Sequence, residues 1–96
     1  MKLDAGQFYG KTSQRLVAEN FSFTEKSYSS STEIPSHSHE LAHFCFVLSG
    51  NYAEKIGQTD FERKPTALVY YPPDVSHAEE HHSNGRHLLV EIDTNG

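Results

Sequence analysis

Apolar and polar positions alternate in short runs along this chain, and each run stops at a residue that favours a turn. From Gln14 to Tyr28 the sequence QRLVAENFSFTEKSY puts Phe21, Phe23 and Glu25 on one parity and Ser22, Thr24 and Lys26 on the other. A period of two predicts β-strand with one buried face. Residues 41 to 49, LAHFCFVLS, form the most apolar stretch, and their aromatic and β-branched content between turn signals predicts a buried strand rather than a short helix. Gly50-Asn51 reads as a hairpin turn that needs positive φ, and Gly57 as a second hairpin signal. Phe61 to Arg63 and Ala67 to Tyr71 are strand-like and parted by Lys64-Pro65; Pro72-Pro73 ends the second, and RHLLVEID is the last strand. No segment predicts a helix. Short strands at close spacing predict an all-β antiparallel barrel or sandwich in one domain, residues 14 to 96. Residues 1 to 13 keep no period and read as an N-terminal arm, expected to pack over the outside of the barrel.

Composition narrows the functional classes. At 96 residues the chain has room for one domain near the lower limit of self-sufficient cores, so a metal or a second copy would help it. No apolar run approaches the roughly eighteen residues of a membrane span, and MKLDAGQFYG shows no secretory signal, so the expected location is the cytoplasm. Thirteen acidic residues against eight scattered basic ones give a net charge of −5, the wrong sign for a nucleic-acid partner. No pair of helical runs suggests a helix-turn-helix either. The single cysteine, Cys45, sits among Phe44, Phe46 and Val47 and reads as a buried thiol rather than a reactive one.

Seven histidines change the picture more than any of these numbers. His37, His39 and His43 share a parity with Leu41, Cys45 and Val47, so in a continuous strand from 37 to 47 all six would point to one face. That describes a barrel interior with nitrogen ligands at its mouth and hydrocarbon below. Neutral imidazole suits zinc, iron, nickel and copper, and an apolar surround excludes competing water. Plainer readings stand beside this one. Ser36-His37-Ser38-His39 alone is an ordinary exposed polar turn, and His43 alone is an ordinary core histidine with both ring nitrogens satisfied. A second cluster, YYPPDVSH, uses Pro72 and Pro73 to fix the backbone and Asp74 to turn it, so that His77 opens the next strand.

HSHELAHFCFVLSG resembles the first cupin motif, in which two histidines one residue apart are followed by an acidic ligand and, six residues later, a glycine. His37, His39, His43 and Gly50 match that spacing, with His43 where the family has Glu. PPDVSH resembles the second motif: Pro72 and His77 are in register, Asp74 and Thr66 stand where the family has glycine, and His81 takes the place of a trailing Asn. The resemblance implies a small antiparallel double-stranded β-helix, the jelly-roll-like cupin barrel. Its expected cofactor is one divalent transition-metal ion (zinc, nickel, iron or copper), held by His37, His39, His43 and His77. His for Glu at 43 removes a negative charge, leaves the ion's full charge in place and suits an anion or hydroxide. His81 would face inward if its strand ran on, but HHSNG reads as a solvated loop. His87, on the face opposite Leu88, Val90 and Ile92, is not an expected ligand.

Over residues 21 to 93 the chain also resembles the N-terminal effector-sensing cupin of AraC-type transcription regulators, in HSHELAHFCFVLSG, PTALVYYPPDVSH and the closing RHLLVEI. This implies a metal-containing sensor of a small-molecule effector without the family's DNA-binding units, and no direct nucleic-acid binding by this chain. The rival expectation is a small metal-dependent enzyme, an oxygenase or isomerase, for which Glu79, Tyr70 and Tyr71 are the nearest candidate bases. A structural module with a vestigial site fits less well, since four donors remain. Finally, if His43, Cys45 and Val47 point inward, Phe44, Phe46 and Leu48 point out. A homodimer is the expected cover; the competing cover is Phe8, Tyr9 and the strand around Phe21 and Phe23 folding back.

Overall fold

The computed structural model describes residues 1–93. Strands β1 (Lys2–Leu3), β2 (Lys11–Ala18), β3 (Phe21–Tyr28), β4 (Glu33–His39), β5 (Ala42–Ser49), β6 (Tyr52–Ile56), β7 (Thr59–Arg63), β8 (Leu68–Tyr71), β9 (His77–His81) and β10 (Gly85–Ile92) follow one another with no helix among the described residues. They form two five-stranded sheets, ordered β1-β4-β9-β6-β7 and β2-β3-β10-β5-β8. Only β1 and β4 pair in parallel; the other pairings are antiparallel. None of the described residues forms a helix long and apolar enough to cross a membrane.

Three local expectations change. The Gln14–Tyr28 run is two strands, because Glu19, at φ 50°, and Asn20 turn the chain back on itself into a β2–β3 hairpin. The 37–47 run is likewise two strands: the chain bends after His39 and passes from one sheet to the other. Odd-numbered residues still face inward on both sides of that bend, so His37, His39, His43, Cys45 and Val47 are all buried. Gly50 has the expected positive φ of 83°, but it joins β5 to β6 across sheets and makes a corner instead of a hairpin. A Cβ there would lie 2.6 Å from the Asn84 carbonyl oxygen, so glycine is required for packing as well as for torsion. Gly57 does close a hairpin, between Ile56 and Thr59.

The core is small: Cys45, Val47, Tyr52, Val69, Tyr71 and Leu89 pack between the sheets. Burial pushes the Cys45 thiol up, which keeps it protonated and inert. In β3 the buried side chains are Ser22, Thr24, Lys26 and Tyr28, whereas Phe21 is exposed. In β10 they are His87, Leu89 and Glu91, with Leu88, Val90 and Ile92 on the outer side. Cross-strand pairing fixes this orientation, since directly opposed residues share a face and Leu89 and Glu91 oppose Cys45 and His43.

Candidate metal centre

His37 and His77 are register partners across β4 and β9, and His39 lies two residues along β4 on the same side. One sheet therefore presents three imidazoles together. Ring nitrogens of His37, His39 and His77 lie within 4.8 Å of one another. His43 enters from the facing sheet, where it pairs with Tyr71, stacks on that ring at 4.7 Å and stands 4.5 Å from His39 between ring centres. It borders the three-histidine group without belonging to it. All four rings are almost wholly buried.

His37 donates Nδ1–H to the Pro35 carbonyl oxygen at 2.8 Å, which leaves its Nε2 lone pair facing His39 Nε2 at 3.1 Å. His39 Nδ1, His43 Nδ1 and His77 Nε2 are buried without a partner. An orphaned buried nitrogen costs about 1–3 kcal/mol, a cost that a partner supplied to it would offset. Burial holds the rings neutral: it lowers His37, brings His39 down to about 3 and His43 down to about 4. Neutral imidazole is the form that binds metal. Two nitrogens each about 2.0–2.1 Å from a tetrahedral ion stand about 3.3 Å apart, close to the 3.1 Å observed between His37 and His39. These residues fit a divalent transition-metal ion.

Behind His77 lies a carboxylate that sequence reasoning missed. Glu54 of β6, 1% exposed, accepts a hydrogen bond from His77 Nδ1 at 2.8 Å, one from the Tyr71 hydroxyl at 2.5 Å and one from Arg63 Nε at 3.0 Å. Burial alone would raise its carboxyl; the hydrogen bonds from His77, Tyr71 and Arg63 outweigh that and leave it lowered. By taking Nδ1–H, Glu54 sets the His77 tautomer and leaves Nε2 as the free donor. Glu79 stands on the other side, 3.4 Å from His77 Nδ1, and Glu54, His77 and Glu79 make a second compact group. Negative charge, which a histidine at position 43 does not supply, is thus present just behind His77. A signal for Glu54 existed in its shared parity with Tyr52, though only the fold shows that this parity is interior. Tyr70, once a candidate base, points outward and is half exposed.

His81 and His87 form a separate group below. His81 is buried, not part of a solvated loop: its ring stacks between Tyr28 at 4.3 Å and Tyr52 at 4.9 Å and donates to Glu79 at 2.9 Å. His87 packs against the same two tyrosines, and burial lowers it to about 4. Among the described residues neither belongs to a group with metal-ligand spacing.

The arm closes the mouth instead of lying over the outside. After β1 pairs with β4, Phe8 packs on His39 and His43 and Tyr9 on His37, at ring separations of 5.1, 5.3 and 4.8 Å. The space beneath is about 20 Å³, bordered by the four histidines, Glu79 and His87. That is room for one water. A larger groove of about 490 Å³ runs along β4, β6 and β9; it meets none of the histidines but is lined by Glu54 and Glu79.

No protein-family model and no curated protein matches the chain. Solved structures do. An RmlC-like cupin from Shewanella frigidimarina is similar at TM-score 0.75 and 14% identity, over 85% of this chain and 75% of that one. A cupin superfamily protein from Desulfitobacterium hafniense is similar at TM-score 0.72 and 11% identity, over 90% and 84%. A DMSP lyase from Ruegeria pomeroyi is similar at TM-score 0.73 and 16% identity, over 81% of this chain but 41% of the lyase. The fold is the cupin jelly roll.

Proposed function

We propose that this chain is a metal-binding cupin domain that senses a small molecule, with His37, His39, His43 and His77 holding one divalent transition-metal ion. The observation that carries this reading is the group of buried imidazoles His37, His39 and His77, whose ring nitrogens lie within 4.8 Å of one another, with His43 beside them. The ion would supply an anchor for an oxygen or nitrogen donor of the effector. Sensing is supported by the resemblance of residues 21 to 93 to AraC-type effector domains and by the roof. A guest larger than water must displace Phe8 and Tyr9, so occupancy and arm position are linked. The role proposed is cytoplasmic, with no direct contact between this chain and nucleic acid.

Elemental analysis of protein purified without a polyhistidine tag tests the site. The intact chain is expected to carry close to one equivalent of metal, and His37→Ala and His77→Ala to lose most of it together with thermal stability. Stoichiometric metal in both variants would sink the four-histidine site.

A second reading, a small metal-dependent enzyme, is favoured by Glu79, a carboxylate beside His77 that borders the interior space. It predicts that Glu79→Gln keeps its metal and loses turnover of a candidate substrate. The sensing reading predicts effector binding without turnover in both proteins.

A further inference from the structure

We infer that Lys26 and the N-terminal arm form a second ligand site, which takes a small carboxylate with an apolar or aromatic body. As a binding site it is independent of the metal; as an account of what is sensed it rests on the sensing reading. A cavity of about 450 Å³ lies between the arm and β3, with Leu3, Gln7, Phe8, Tyr9 and Lys26 in its lining. Its volume falls within the roughly 300–1,000 Å³ of small-molecule pockets. Among the described residues no histidine and no carboxylate lines it. Phe8 and Tyr9 border both this cavity and the small space over the histidines.

Lys26 lies on the inward parity of β3, and its register partners are Thr12 on β2 and His87 on β10. Neither supplies a negative charge. A lysine that merely covers apolar surface keeps its ammonium in water; Lys26 is only 7% exposed. An ammonium carries three N–H donors. Thr12 Oγ1 takes one at 2.6 Å and the Gly10 carbonyl oxygen another at 3.5 Å. Among the described residues the third has no protein acceptor and Lys26 makes no ion pair. The charge that does act on it has its own sign: burial first, and then the Arg15 guanidinium, lower the ammonium from its usual value. Arg63 shows the ordinary arrangement in this protein, since its half-buried guanidinium is paired with Glu54 at 3.0 Å. A buried charge without a counter-ion is costly. An anion at Lys26 would offset that cost and take the open donor.

The surroundings select the kind of anion. One ammonium matches one negative charge, as on a carboxylate, whereas a phosphate brings close to two at neutral pH and is best held by a bidentate guanidinium. Gln7 Oε1 already accepts the Asp4 N–H, which leaves the Gln7 amide NH₂ as a further donor to a second carboxylate oxygen. Leu3, Phe8 and Tyr9 offer apolar surface to the remainder of the guest. A carboxylate seated here touches the two aromatic residues that roof the histidines.

Calorimetric titration of the full chain with sodium benzoate, and with benzyl alcohol as its uncharged counterpart, tests the site. Benzoate is expected to bind at least about tenfold more tightly than the alcohol, the usual margin for a hydrogen bond to a charged group. Lys26→Met replaces the buried charge with an uncharged side chain of similar length and should fold by circular dichroism, keep its metal and lose at least about tenfold in benzoate affinity. Lys26→Gln, which retains a donor for Thr12 and Gly10, should lose affinity equally and stands in if the first variant does not fold. Benzoate held by the metal instead would bind the folded Lys26 variants as tightly as the intact chain, and that result overturns the proposal. So does an intact chain that does not bind benzoate or binds the alcohol equally well. A chain without metal that still binds benzoate through Lys26 supports this site and counts only against the metal centre, so the two readings fail separately.

Discussion

The barrel holds two groups of buried imidazoles, and they differ in what their nitrogens meet. In the upper group, the rings of His37 and His39 turn nitrogens toward each other, and three further nitrogens on His39, His43 and His77 have no protein partner. In the lower group, His81 is sandwiched between Tyr28 and Tyr52 and is satisfied by Glu79, whereas His87 Nε2 is buried without a partner. Both groups are equally buried and lie within reach of acidic side chains. Neither burial nor an unmet nitrogen alone therefore makes a ligand; ring nitrogens within ligand spacing of one another do, as those of His37, His39 and His77 are.

Substitutions can break that contrast in order of size. The largest difference is expected between His39→Ala and His81→Phe: the first loses metal and, with it, stability of about 4 kcal/mol where the free metal is a thousandfold above its dissociation constant. The second keeps its metal, because ring stacking on Tyr28 and Tyr52 survives in phenylalanine. Metal analysis and thermal denaturation read both effects, and loss of metal in His81→Phe would erase the distinction between the groups.

An intermediate effect is expected at Glu54. Glu54→Gln should reduce metal affinity by about 10–100-fold, the usual penalty for losing a carboxylate behind a ligating histidine, while the protein stays folded. Competition with a chelator measures this, and unchanged affinity would make Glu54 purely a packing residue.

The last effect concerns acid. His87 is held near 4 by burial, against about 6.5 when unfolded. Between those values the unfolded chain binds a proton that the folded chain refuses, so stability falls as pH drops from about 6.5 toward about 4. The slope is up to about 1.4 kcal/mol per pH unit for this one group. In metal-free protein His39 and His43 add to it in the same direction. Replacing His87 with Phe should flatten the denaturation midpoint across that range by one group's share, and an unchanged slope would show that His87 titrates normally.

Much of the candidate site was legible before any fold was known. The His-x-His spacing, the parity of His43 and the proline-led approach to His77 all depend on residues close in sequence, and the structure brings His37, His39 and His77 together. The role of Glu54 was not legible, because its contacts with His77 and Tyr71 lie 23 and 17 residues away. The depth of His81 was hidden for a similar reason: a polar HHSNG stretch looks solvated until Tyr28 and Tyr52 are folded against its first residue. In β3 and β10 the more apolar parity faces out, and the interior parity mixes Ser22, Thr24, Lys26, His87 and Glu91 with Tyr28 and Leu89.

Alternation along the chain was enough to establish strands, turns and which residues travel together on one side. It could not say which side is inside, because a period of two is symmetric between the faces of a sheet. That choice was made by pairing across the sheet: once Cys45 and His43 face inward, Leu89 and Glu91 must follow, and Leu88, Val90 and Phe44 must share the outer face. Local sequence thus determines the histidine motif, and tertiary structure alone decides the carboxylates behind it and the apolar face on the far side of the sheet.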